Sequence, residues 1–242
     1  MMIYLYRVYQ AIIALPLCLV LTVLTSIVTI VGCITGPQRF FSYYPAKVWA
    51  QLVCLLNFVR VRVHGRENIE KNTSYVFVAN HQGAFDIFSI YGYLGHQFRW
   101  MMKIALRKIP FVGYACYKAG HIYVDHSTPS AVRNTIETAE QRLRGGMSVV
   151  VFPEGSRTRN GRVGVFKRGA YFLATEFKLP VVPMTIDGAY RVMPRTARLP
   201  RPGRIDLTIH RPIMPGDDGH DMTTLINDSR AAIVSILPPD QR

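Results

Sequence analysis

Residues 11–35, AIIALPLCLVLTVLTSIVTIVGCIT, run for 25 positions without a charged side chain. A helix needs about 20 apolar residues to cross a bilayer core, so this stretch either enters a membrane or must be covered along its length. It exceeds the apolar core of about 7–15 residues of a secretory leader, and no small-x-small site closes it. The same length argues against a lipoprotein signal ending at Cys33. Pro16 predicts a kink, and a second apolar stretch, Phe40 to Val59, follows at once. Two helices dipping together into one leaflet therefore stand beside a single span as the two arrangements to expect. Phe40, Tyr43, Tyr44 and Trp49 suit the headgroup region, and the surplus of Lys and Arg after the first segment keeps the following domain on the cytoplasmic face.

The charge of the chain supports a membrane-surface location. Twenty-nine basic against fifteen acidic side chains leave +14, which calls for an anionic partner: nucleic acid, lipid headgroups or a phosphorylated substrate. No acidic residue precedes Glu67, whereas Arg7, Arg39, Lys47, Arg60, Arg62 and Arg66 do, and Arg191, Arg195, Arg198, Arg201 and Arg204 form a second cluster with no acidic residue within it. Basic charge beside apolar helices favours lipid. No helix-turn-helix, zinc-finger or RRM signature occurs, so no nucleic-acid partner is expected. The cysteines Cys18, Cys33, Cys54 and Cys116 make no CxxC pair. That argues against a disulfide framework or a zinc site, and for a reducing compartment.

From about residue 58 short apolar runs alternate with amphipathic stretches, which predicts an α/β fold with a mostly parallel central sheet covered by helices. Residues 1–57 are read as N-terminal membrane-anchoring helices and 58–242 as one α/β domain. Strands are expected at 59–64, 74–79, 98–102, 121–124, 148–152, 180–186 and 204–209. SYVFVA and SVVVF are apolar on both faces, as central strands are. The clearest helix lies between Ser127 and Gly146, capped by Ser127 or Thr128, with Val132, Ile136, Ala139 and Leu143 at helical spacing. Two more are expected from about Lys167 to Phe177 and from about Met222 to Ile236.

Ligands of open α/β sheets bind at the carboxyl ends of the strands, which directs attention to the loops after the two most buried strands. The first reads Asn80-His81-Gln82-Gly83-Ala84-Phe85-Asp86 and the second Pro153-Glu154-Gly155-Ser156-Arg157-Thr158-Arg159. Both contain a glycine, which lets a substrate approach the backbone closely. Asp86 stands where an N-cap aspartate is ordinary. Folded back onto His81, it would instead fix the imidazole tautomer and leave the second ring nitrogen free as a base. No serine, cysteine or threonine has a nucleophile context such as GxSxG, so the attacking group is expected to be the substrate's own hydroxyl. In the second loop Arg157 and Arg159, with Lys167 and Arg168 beyond, suit a phosphate monoester. A solvated basic loop has the same composition. Glu154 is expected either to orient those arginines or to bind a substrate hydroxyl.

These blocks resemble the glycerolipid acyltransferases, and most closely the 1-acylglycerol-3-phosphate acyltransferases. Asn80 to Asp86 matches the NHx4D block of that family. Lys103 with Ile109-Pro110-Phe111-Val112-Gly113, followed by Gly120 to Asp125, is similar to the second block. Phe152 to Thr158 is similar to FPEGTRS, and Val181 to Ile186 to the fourth block. The resemblance implies transfer of a fatty acyl group to the free sn-2 hydroxyl of lysophosphatidate, with His81 as general base and Asp86 as its orienter. Arg157 with Lys103 would bind the acceptor phosphate, and Glu154, Gly155 and Ser156 would shape the glycerol site. It further implies a co-substrate thioester on coenzyme A or acyl carrier protein, no metal and no cofactor. The second block usually ends in Asp-Arg, but here Asp125 precedes His126; either His126 or the Arg191 to Arg204 cluster replaces that charge. The same chemistry on glycerol 3-phosphate, a lysophospholipid or an amino-acid-derived lysolipid fits the blocks equally. A non-enzymatic protein that binds anionic lipid is the reading from a different class.

Overall fold

The computed structural model describes residues 2–125, 127–144, 146–216 and 221–242. The chain opens with α1 (Met2–Tyr9), which runs through a π-helical turn, Gln10–Ala14, into α2 (Leu15–Thr35). Pro16, which lacks an N–H to donate back along the helix, follows directly on that wider turn, where the Leu15 N–H reaches back to the Gln10 carbonyl. The proline is thus taken up inside a continuous helical segment. After a Gly36-Pro37 break come α3 (Gln38–Phe41) and α4 (Tyr44–Leu56).

The sheet then begins. Its strands are β1 (Val59–His64), β2 (Val76–Ala79), β3 (Phe98–Lys103), β4 (Ile122–Val124), β5 (Ser148–Val151), β6 (Val181–Asp187) and β7 (Gly203–Ile209), so all seven expected strands form. Between them lie α5 (Phe85–Tyr93), α6 (Val112–Lys118), α7 (Pro129–Arg144), α8 (Gly169–Glu176) and α9 (Ala189–Val192), with α10 (Met222–Ser235) closing the chain. The strand order is β1-β7-β6-β2-β5-β3-β4. All neighbours pair in parallel apart from β6 and β7, which matches the mixed but mostly parallel α/β architecture expected.

β2 occupies the centre, and its four residues are all buried. Alternation along it serves two cores. Phe77 and Ala79 face a layer that holds Ala50 and Val53 of α4 and Ile90 of α5, while Val76 and Val78 face Ala139, Leu173 and Ile233 of α7, α8 and α10. A strand covered on both sides must be apolar on both sides, which is why its sequence reads as a continuous run. The helix over 129–144 has the expected cap, because the Ala131 N–H donates to Thr128 Oγ1 (3.1 Å). His126 and its expected part in phosphate binding lie outside the described residues.

α1 and α2 lie along the α/β domain, which holds them at both ends. At the start, Arg7 Nη1 and Gln10 Nε2 donate to the Pro200 carbonyl (3.1 and 3.0 Å). Just past the end, Gln38 Nε2 donates to the Lys118 carbonyl and Arg39 Nε to Gln97 Oε1 (both 3.4 Å). In between, Trp49 Nε1 of α4 donates to Thr22 Oγ1 (2.9 Å), and the small Gly32 lets the Phe41 ring lie against the helix. The outward face is apolar and open, with Leu19 62% and Ile34 59% exposed.

Candidate active site

The loop leaving β2 is fixed by its own polar side chains. Asn80 sits fully buried and reads the edge of β6 as a second backbone would: its Nδ2 donates to the Ile186 carbonyl (2.9 Å) and its Oδ1 accepts from the Ile186 N–H (2.8 Å). Gln82, also fully buried, donates from Nε2 to the Gly161 carbonyl and to Gln241 Oε1 (both 2.9 Å). Gly83 has a role other than the one its sequence suggested. A Cβ there would run into the Ala189 carbonyl, so the close approach it permits is by the backbone of α9 and not by a substrate.

His81, between these anchors, meets Asp86. The two are joined from Nδ1 to Oδ2 at 2.7 Å, with the aspartate side chain fully buried and the histidine 14% exposed. The same Oδ2 accepts the N–H groups of Gln82 (2.7 Å) and Gly83 (2.9 Å). Asp86 is therefore not the N-cap that its position suggested: α5 starts at Phe85, and the carboxylate lies in its first turn, facing back over the loop. The helix dipole favours a negative charge there. An oxygen that already accepts two backbone hydrogens takes a third from Nδ1, which places the ring proton on Nδ1 and leaves Nε2 as the basic nitrogen. One face of the imidazole lies against Phe152, with ring centroids 3.9 Å apart and planes 9° from parallel, and Trp100 stacks behind Phe152 at 5.4 Å.

The loop after β5 closes on itself, the Lys167 N–H donating to the Pro153 carbonyl (3.0 Å), and the intervening residues stand out beside His81. Glu154 joins the two loops. Its Oε1 accepts from the His81 N–H (2.7 Å) and its Oε2 from the Gly164 N–H (2.8 Å), while the His81 carbonyl accepts from the Thr158 N–H (2.9 Å). Both carboxylate oxygens thus hold backbone N–H groups, so of the two roles expected of Glu154 it does not take that of orienting the arginines. Burial pushes its carboxyl above the ordinary range, and the two backbone donors pull it back toward ionisation. Gly155 turns at φ 75°, a conformation that favours glycine, and the Lys167 ammonium lies against it.

On the outer side of this loop a cleft of about 480 Å³ is lined by Glu154, Ser156, Arg157, Arg159, Arg162 and Arg195, among others. Four guanidinium groups and a single carboxylate, itself held by backbone, make it a site for an anion. Arg157 and Ser156 fall where the sequence put them. Arg162 was not expected, and Arg195 was one of five in a cluster: of its companions, Arg191 pairs with Asp187 (3.1 Å) and Arg204 with Asp206 (2.7 Å). The fold alone distinguishes them, since the Arg195 Nη1 reaches the Arg157 carbonyl (3.4 Å) across 38 positions of sequence. Lys103 ends β3 at the same edge of the sheet, exposed, but outside the cleft wall. The His81 ring is also outside that wall, joined to it through Glu154 and Thr158.

The Acyltransferase family model matches residues 60–187. The chain is 31% identical over 202 residues to the chloroplast 1-acyl-sn-glycerol-3-phosphate acyltransferase of Arabidopsis thaliana, covering 83% of this chain and 55% of that one. It is 30% identical over 183 residues to the alpha form of the same named enzyme from Mus musculus, covering 74% and 64%. The chain thus spans little more than half to just under two thirds of these curated relatives. Among solved structures, the 1-acyl-sn-glycerophosphate (LPA) acyltransferase of Thermotoga maritima superposes with a TM-score of 0.79 at 26% identity, over 95% of this chain and 92% of that one. With a family model that covers both site loops and the whole sheet edge between them, the chain belongs to the acyltransferase family.

Proposed function

We propose that the protein transfers a fatty acyl group from an acyl thioester to the sn-2 hydroxyl of 1-acylglycerol 3-phosphate, forming phosphatidate. The observation that carries this reading is the pairing of a buried-carboxylate histidine with an arginine-lined anion cleft on the adjoining loop. In such an acceptor the phosphate is two carbons removed from the reacting hydroxyl. Its binding site should therefore lie beside the base and not on it, which is the relation of the cleft to His81.

The chemistry follows from the proton positions. Nε2 of His81 takes the hydroxyl proton as that oxygen attacks the thioester carbonyl, and Asp86 balances the imidazolium. Collapse of the tetrahedral adduct breaks the carbon–sulfur bond, and the leaving thiolate recovers the proton as a thiol. No covalent enzyme intermediate and no metal takes part. Arg157, Arg159, Arg162 and Arg195 hold the phosphate, with Ser156 at their rim. Glu154 and Gly155 set the separation between base and phosphate. Lys103, from the next strand end, reaches the acceptor only once it is bound. The donor is carried by coenzyme A or acyl carrier protein.

Localisation follows from the helix placement. A 33-residue helical segment is about 50 Å long, and α1–α2 is tied to the domain at both ends. We therefore infer that it lies in the plane of one leaflet with its apolar face in lipid, and that its flanking basic residues keep the domain on the cytoplasmic side.

The test is an acyl-transfer assay with lysophosphatidate, glycerol 3-phosphate and monoacylglycerol as competing acceptors, run with both thioester donors. Lysophosphatidate should be preferred over monoacylglycerol, which lacks the phosphate, by about tenfold or more, as expected for a desolvated charge-assisted pair. Equal use of the two would overturn the assignment of the cleft, and glycerol 3-phosphate as the best substrate would move the reaction to the sn-1 position.

A further inference from the structure

The connection from β3 to β4 carries a surface that neither the catalytic pair nor the anion cleft uses. It folds as a 3-10 turn, Ile104–Lys108, and then α6, and it is held tightly. The Gly113 N–H donates to the Ile109 carbonyl (2.8 Å) and the Tyr123 hydroxyl to the Gly113 carbonyl (2.8 Å), while Gly113 lies so close to the Arg107 carbonyl that no side chain would fit. From this rigid frame Leu106, Ile109, Phe111, Tyr114 and Tyr117 project outward, Phe111 being 54% exposed. Cations are interleaved with the rings: Arg107 lies 4.5 Å over Tyr117, and the Lys118 ammonium 5.4 Å over Tyr114.

Phe111 is held at φ 59° and ψ −56°, a γ-turn conformation closed by the Val112 N–H on the Pro110 carbonyl (2.6 Å) that a phenylalanine adopts only at a cost. With the residue 54% exposed, burial offsets only part of that cost. Large aromatics turned outward beside basic groups belong where hydrocarbon meets headgroups, and α6 packs directly against α2. The two exposed apolar surfaces therefore lie on adjoining elements.

We propose that the β3–β4 connection is a second membrane contact, with Phe111 inserted below the headgroups and Tyr114, Tyr117, Arg107 and Lys118 at headgroup depth. The proposal rests on the in-plane reading of α1–α2. It brings the carboxyl ends of β3 and β4, and with them Lys103, to the bilayer surface, so that an acceptor can enter the site with its acyl chain still in lipid.

The test uses the full chain on vesicles of phosphatidylcholine and phosphatidylglycerol, part of them with bromine on the upper acyl chain. Phe111→Trp reports the connection and Leu19→Trp reports α2, each as the emission added to that of the parent. Quenching of both by bromine is the expected result. Quenching at position 19 alone overturns the proposal and leaves the in-plane helix standing, whereas quenching at neither position removes both. Shielding of the residue-111 tryptophan by acyl carrier protein, without bromine quenching, would make the surface a carrier-docking site and overturn the lipid assignment. Phe111→Gly supplies the second measurement, since glycine suits the positive-φ backbone and the fold should hold. It should lower the ratio of activity on vesicle-embedded acceptor to activity on a dispersed short-chain acceptor by about tenfold, the loss expected on withdrawing one buried phenyl ring. An unchanged ratio counts against the proposal.

Discussion

Two histidines stand at opposite edges of the sheet. His81 follows β2 at the carboxyl edge, bound through Nδ1 to a fully buried carboxylate, with its ring 14% exposed. His96 precedes β3 at the amino edge, 8% exposed, where its Nε2 meets Ser148 Oγ at 2.8 Å and its ring packs against Tyr75 and Phe77. Ser148 Oγ also accepts the Tyr75 N–H (3.0 Å), so His96 closes a neutral network that holds strand starts together. A histidine at the edge of a sheet is suited to act as a base when it has a charge to stabilise its protonated form and an opening for a substrate. Lacking both, it is a packing residue.

Predictions follow from that contrast, beginning with the largest. His81→Ala should lower kcat by about 10²–10⁴-fold, the usual contribution of a positioned general base, while thermal unfolding and vesicle binding stay at wild-type values. Residual activity above a few per cent would show that another group takes the proton. Asp86→Asn keeps the shape but not the charge that balances the imidazolium, and should cost about a hundredfold or more in kcat. An unchanged KM would identify the loss with the transition state.

Arg157→Ala tests the cleft and not the base. It should raise KM for lysophosphatidate about tenfold with a smaller effect on kcat, and leave KM for monoacylglycerol unchanged, because only the phosphate is affected.

At the other edge, His96→Ala should leave kcat intact and cost about 1–3 kcal/mol of folding stability by orphaning a buried hydroxyl and opening a cavity. Burial holds His96 and His210 below the ordinary histidine value. The unfolded chain then binds more protons than the folded one, so stability is full above about pH 6.5 and falls as the pH drops below it. Denaturant titrations at pH 7.5 and 5.5 should show that loss in the wild type, and a smaller one in His96→Gln. The smallest effect expected is that of Phe152→Leu, which removes the ring that fixes the imidazole plane and favours the positive charge it gains. A severalfold fall in kcat, about 1 kcal/mol in keeping with a partly exposed cation–π contact, should be largely recovered by Phe152→Tyr.

Much of the fold was legible in the chain. The seven strands could be read because each is a short segment apolar on at least one face between turns, and β2 and β5 could be ranked as central because they are apolar on both faces. His81 and Asp86 were legible because both follow such a strand. Other assignments were misread for a common reason. Glu154 and Gly83 were each interpreted through near neighbours in sequence, whereas their partners are Gly164 and Ala189.

Residue chemistry and spacing alone determined that this protein has an N-terminal stretch apolar and long enough to cross a bilayer, a two-faced sheet, a histidine with a carboxylate five positions on, and a basic loop to accompany them. The tertiary structure alone decided which arginines form the cleft, that Asn80 and Gln82 anchor the loop of His81, and that a glutamate joins the two loops. Periodicity and composition record how each residue meets solvent and its near neighbours. A site assembled across 38 to 159 positions of sequence, as between Arg157 and Arg195 or Gln82 and Gln241, depends on strand order, which local pattern does not encode.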